Sequence, residues 1–160
     1  MSSHRARANH ALYCAGMLIS SWRGALEASH FPPRALNDAF LPAVHLHLRQ
    51  AYGWFLLELS GAGDWSTAPP ACTADLPPVP TGKAVPSEIK EFQRLENDGW
   101  VGEFLAARST APAVRPARSM RGQGALTVSV IDDGDCDAAA QWKRDFEALF
   151  ERMGDALDES

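Results

Sequence analysis

The sequence lacks the features that mark most classes of function. It has three cysteines, Cys14, Cys72 and Cys136, with no CxxC pair among them. An odd number leaves one thiol over under any disulfide scheme, so free thiols in a reducing compartment are expected. No apolar run approaches the roughly 20 residues that a membrane-spanning helix needs. There is no P-loop, nucleophile elbow, zinc-ligand spacing or dinucleotide-binding glycine pattern, and there are no internal repeats. Charge of one sign is also scarce. A net charge of −5 over 160 residues disfavours bulk attraction to nucleic acid or to an anionic membrane. Nucleic-acid binding, membrane insertion and cofactor or metal chemistry are therefore not expected.

What is present is apolar patterning. Hydrophobic residues make up 46% of the chain, enough for a packed core in a single domain spanning 1–160. The start, with His4, Arg5 and Arg7 ahead of Ala11 to Ile19, mimics the charged and apolar parts of a signal peptide. The apolar stretch is short and is interrupted by Ser20, Ser21 and Arg23 at helical spacing, so a cytoplasmic protein is expected.

Leu12, Ala15, Ile19, Trp22 and Leu26 predict an amphipathic helix over 4–29, broken by Ser29-His30-Phe31-Pro32-Pro33. A second helix over 34–59 has two apolar faces, one with Phe40, Val44, His47, Ala51 and Trp54, the other with Leu41, Leu48, Tyr52, Phe55 and Leu59. A helix apolar nearly all round belongs at the centre of a bundle. Pro42 should kink it or mark its first turn, and Gly61 and Gly63 should end it. Residues 66–86, with six prolines, read as a stiff connector that packs on nothing and could be excised.

Ser87 predicts a cap for a short helix over 88–96, and Asp98 a cap for another through about Arg108. Residues 109–136 read as an arginine-containing loop followed by an extended stretch, Leu126 to Ile131. Asp137 then caps a last helix over 138–157, with Trp142, Phe146, Leu149, Phe150, Met153 and Leu157 on one stripe. The fold class expected is all-α: an antiparallel four-helix bundle with a long proline-rich loop and a short extended segment before the last helix.

Chemistry-bearing residues are few. His45 and His47 are two apart, about 200° around a helix, so they cannot share one metal ion, whose helical ligands come four apart. A neutral histidine with one hydrogen-bond partner is an ordinary core residue, and both are read so. Asp132-Asp133-Gly134-Asp135-Cys136-Asp137 resembles a calcium loop at a glance, but the glycine and glutamate such a loop requires are missing. A turn and helix cap is expected instead. The stretch from Arg108 to Arg121 carries Arg108, Arg115, Arg118 and Arg121 with no acidic residue. Together with Arg5 and Arg7 these form the candidate contact surface for an acidic partner protein or a phosphate backbone. A pocket among Tyr13, His45, His47 and Tyr52 is the candidate ligand site.

Spaced patterns carry one resemblance: Arg5-Ala6-Arg7-Ala8-Asn9 with Leu12-Tyr13, Ala43 to Leu48 leading into Ala51-Tyr52 and Phe55-Leu56, Trp100 with Phe104-Leu105, Leu126 to Ile131, and Trp142. They resemble a family of short, uncharacterised bacterial helical proteins, loosely similar to the HEPN type of four-helix bundle. The resemblance implies a fold and no activity. Arg5 and His10 match the Arg-x4-His spacing of HEPN ribonucleases, but on the first helix and not on the late helices that carry it in that class. The function expected is a non-enzymatic helical module that binds a protein partner or a second copy of itself. The alternatives are an RNA-acting HEPN-like enzyme or toxin, and a small-ligand-binding bundle.

Overall fold

The computed structural model describes residues 3–107 and 134–158. Among them the regular elements are α1 (Ser3–Ala28), α2 (Pro33–Leu59), a single 3-10 turn (Thr73–Asp75), α3 (Ser87–Asp98), α4 (Trp100–Ala107) and α5 (Gly134–Asp158). The all-helical class expected from the sequence holds for these residues. The extended stretch expected at 126–131, and Arg108, Arg115, Arg118 and Arg121, lie outside the described residues.

The helix ends follow local chemistry. α1 stops where Ser29 takes a positive φ of 54° and its N–H turns back to the carbonyls of Ala25 and Leu26. Pro32 caps α2 and Pro33 opens it, where a missing N–H costs nothing. Pro42 lies inside α2 and does not start a new helix. Gly61, at φ 63°, closes α2 with its own N–H on the Glu58 carbonyl and that of Ala62 on Leu57, the left-handed glycine ending expected there.

Three expected caps are corrected. α3 begins one residue early, with Pro86 at the cap and the Ser87 hydroxyl on Glu88. α5 begins at Gly134, so Asp135 and Asp137 occupy its first turn, where the helix dipole favours negative charge. Asp98 is likewise the last residue of α3 rather than a cap of α4. The break is Gly99, in extended conformation, where a Cβ would be a tight fit 3.0 Å from the Leu95 backbone; Gly102 must be glycine, since a Cβ there would run into the Glu96 carbonyl.

α2 touches every other helix. Near its end Trp54 stacks on His4 of α1, and near its start Phe40 stacks on Trp22. Tyr52 and Phe55 meet Phe92 of α3, His45 meets Phe104 of α4, and Phe55 lies flat on Phe150 of α5. Trp100 and Phe104 reach Phe146 from the other side. The result is one continuous aromatic core.

The proline-rich segment departs from expectation, because it is packed. Pro70 and Thr73 are buried. Pro69 and Pro70 lie against Gly53 of α2, where a Cβ would come within 2.8 Å of the Pro69 Cβ and still closer to the Pro70 carbonyl. Glu96 of α3 fastens the segment, accepting the Thr73 N–H at 2.8 Å, the Thr73 hydroxyl at 2.6 Å and the Tyr52 hydroxyl at 2.5 Å. The segment fails as a mere spacer because α2 and α3 leave a polar pair, Tyr52 and Glu96, that needs Thr73 to complete it. Excising 67–85 behind a Gly/Ser linker should therefore lower the melting temperature by several degrees, where a packed-on-nothing loop would leave it unchanged. A thermal melt of the excised chain checks this.

Candidate interaction surface

The four residues expected to bind a small ligand are not brought together. His45 is buried between Phe104, at 4.6 Å ring to ring, and the edge of Trp142, at 4.8 Å. Tyr52 is buried against Phe92 and Phe146. Burial first, and then the Glu96 hydrogen bond and charge, hold its phenol protonated far above the usual tyrosine range. His47 lines a shallow groove of about 500 Å³ between α1 and α2, beside Trp54, His10 and Cys14. Tyr13 stands on the outside of α1, 65% exposed.

The two described arginines of the expected partner surface, Arg5 and Arg7, point to different sides of α1. Arg7 lies over the Trp54 ring at 4.5 Å and donates to the Trp65 carbonyl. Beneath it, His4 donates its Nε2–H to the Gly63 carbonyl at 2.9 Å, while its buried Nδ1 has no hydrogen-bond partner among the described residues. Arg5 projects to the opposite side, against Gly154 of α5. Arg5 and His10 are about 140° apart around the helix, and His10 turns toward Cys14, with Nε2 3.6 Å from Sγ. The Arg-x4-His pair therefore does not converge on one cleft.

The surroundings of Cys72 disfavour its thiolate. Partial burial first, and then its hydrogen bond to the Asp75 carboxylate, push its thiol up. Its alkylation should accelerate only above the ordinary thiol range of about 8.5. Mass-spectrometric labelling of Cys72 across a pH series checks this; fast labelling at pH 7 would contradict the geometry. All three cysteines are free. Among the described residues no group of three histidine, cysteine or carboxylate side chains lies close enough to hold a metal ion, and no helix is long and apolar enough to cross a membrane.

The surface that does stand out is on α1, and sequence reasoning missed it. Its inner face, Ala8, Leu12, Ala15, Ile19 and Trp22, is buried as the spacing predicts. The outer face carries Ala6, His10, Tyr13, Met17, Ser20 and Gly24, all exposed. These recur at alternating intervals of four and three, the spacing of a helix-pairing seam. Between Ala6 and Gly24 none is an acid, a lysine or an arginine; of the formal charges of α1, Arg5, Arg7 and Arg23 lie on its flanks, and Glu27, the next position of the series, closes the seam at its C-terminal end. An outward face on a surface helix is normally where charge collects.

Beside this seam a groove separates α1 from α5. One part, about 650 Å³, is floored by Leu12, Phe55 and Phe150 and edged by Tyr13 and Glu151. It continues past Gly16, where Lys143 lies across the helix, into a second part edged by Arg23, Glu27 and Arg144. The signal that could have found the seam was the scarcity of charge at every position opposite the buried stripe.

No family model, no curated protein and no solved structure matches this chain. The surface must therefore be read from its own chemistry.

Proposed function

We propose that this chain is a non-enzymatic protein-binding module: an antiparallel four-helix bundle, with α3 and α4 together as one rod, that offers the outer face of α1 to a protein partner. The contacts that support the antiparallel arrangement are His4 with Trp54 and Trp22 with Phe40 between α1 and α2, and Glu91 with Arg152 and Phe104 with Trp142 between the α3–α4 rod and α5. The observation that carries the functional reading is the charge-free seam at helix-pairing spacing, with Tyr13 65% and Met17 48% exposed at its centre. Apolar side chains grouped on a helix face rimmed by polar residues mark interaction sites. Against the RNA-acting alternative stands the separation of Arg5 from His10, and against a ligand-binding bundle the dispersal of Tyr13, His45, His47 and Tyr52.

The test is a photo-crosslinking residue in place of Tyr13, activated in the native cell. A covalent protein adduct that is absent when the same residue replaces Glu88 supports the module. Adducts to RNA alone, or none at all, overturn it. Tyr13→Glu and Met17→Glu should change the stability of the fold itself by less than about 0.5 kcal/mol, the usual scale for open surface positions, which thermal melts of the two variants will show.

A further inference from the structure

Resting on the protein-binding reading, we propose that the partner seated on α1 is a second copy of this chain, packed antiparallel about a twofold axis at the level of Ala15. The seam is self-complementary about that point. An antiparallel copy centred there brings Tyr13 onto Met17 of the second copy, His10 onto Ser20 and Ala6 onto Gly24. The two large exposed side chains thus meet each other, an aromatic ring against a thioether, a favourable contact. Small residues fall at both ends, where a Cβ added at Gly24 would meet nothing and two backbones can approach closely. Shifting the copies by one heptad either way sets Tyr13 or Met17 against a small residue, Met17 on Ala6 or Tyr13 on Gly24.

Away from the axis the charges agree with this registry; at the axis Lys143, which lies across Gly16, faces its own symmetry mate and is neutralised by its pair with Glu147. A twofold axis returns each flank to itself, so the α5 side of one copy meets the α5 side of the other. Glu151 lies at the level of Arg5 and Asn9 along the groove, and the symmetry sets that level against Ser21 and Arg23. Glu151 of one copy therefore comes opposite Arg23 of the other, and Arg5 comes within a turn of Glu27. Arg7 and Arg23, which share a level in this registry, lie on opposite flanks and do not meet. In the single chain Arg23 pairs with Asp137 at 3.3 Å, both well exposed. Such a pair is weak and readily exchanged. The self-matching order of sizes, together with opposite charge on the matching flank, favours a second copy over an unrelated helix.

The experiment is sedimentation of the purified full chain over a concentration series, joined to directed disulfides. The wild-type chain should reach twice its monomer mass as concentration rises. Tyr13→Glu should raise the dissociation constant about tenfold or more, while its thermal melt, taken at a concentration where the wild-type chain is monomeric, stays that of wild type. With Cys14→Ser in the background, a mixture of Tyr13→Cys and Met17→Cys chains should form the mixed disulfide far faster than either chain alone. Equal rates for the mixture and for each variant alone overturn the antiparallel registry. A monomer at every concentration overturns the second copy as partner. If the Tyr13 photo-adduct to another protein then still forms in the cell, only the identity of the partner has failed; if no adduct forms either, the protein-binding face has failed with it.

Discussion

Replacing Phe55 with alanine is expected to lower stability by about 3–5 kcal/mol, the range for truncating a fully buried aromatic. Phe55 is 2% exposed, stacks on Phe150 with ring centroids 4.0 Å apart, and meets Phe92 edge-on. Its removal opens a cavity where α2, α3 and α5 come together, and none of the three can collapse into it without losing its own aromatic contacts. Trp54→Ala, one residue away on the same helix, should cost less, because Trp54 is only half-buried and its stacking partners His4 and Arg7 lie at the edge of the fold. Chemical denaturation of both variants decides the matter. A loss under about 1 kcal/mol at Phe55 would place it outside the central contact.

Glu96→Ala is expected to cost about 3 kcal/mol, since it strips the acceptor from three donors at once and leaves buried ones unsatisfied at about 1–3 kcal/mol each, not additively. Tyr52→Phe introduced on top of Glu96→Ala should return part of that loss by removing one orphaned hydroxyl, whereas in the wild-type background it should be destabilising. A double-mutant cycle measured by urea unfolding reads the difference; equal effects of Tyr52→Phe in both backgrounds would show that the hydroxyl and Glu96 are uncoupled. The same network sets an alkaline limit. The folded chain holds the Tyr52 proton more tightly than the unfolded chain does. That part of the stability is fully present below about pH 10, the unfolded tyrosine value, and is lost as pH rises beyond it. Tyr52→Phe should blunt the decline.

The helices were legible because their evidence is local. The stripe Leu12, Ala15, Ile19 and Trp22 falls on one side of any regular helix, and Pro32-Pro33 and Gly61 punctuate the chain by backbone geometry alone. The packing of 66–86 was not legible in the same way. Pro69 and Pro70 meet Gly53 and Thr73 meets Glu96, contacts across turns of chain that no periodicity encodes, and a run of prolines has the same composition whether it spans water or lies on a helix. One clue was available: a glycine inside an apolar helix weakens it and calls for a packing reason, and Gly53 sits in Ala51-Tyr52-Gly53-Trp54. Of the candidate site residues, His45 fell into the core as its apolar neighbours implied. The dispersal of Tyr13, His47 and Tyr52 depends on the rotation of each helix about its axis, which one sequence leaves open within a residue or so. The outer seam of α1 was overlooked because a helix with one good buried stripe already accounts for its own pattern.

The short turn between α1 and α2 has a kinetic consequence. Only residues 29–32 separate the two helices, so Trp22 meets Phe40 after closing a very short loop, while Phe150 must find Phe55 across most of the remaining chain. Local contacts close first and distant ones carry the larger entropy of closure. The α1–α2 hairpin should thus be formed in the folding transition state and α5 should dock after it. Weakening the Trp22–Phe40 stack will slow folding, while truncating Phe150 or Met153 of α5 will chiefly speed unfolding. On the ribosome the same order would leave the hairpin complete, with the side of α2 that Phe150 covers exposed, until α5 emerges.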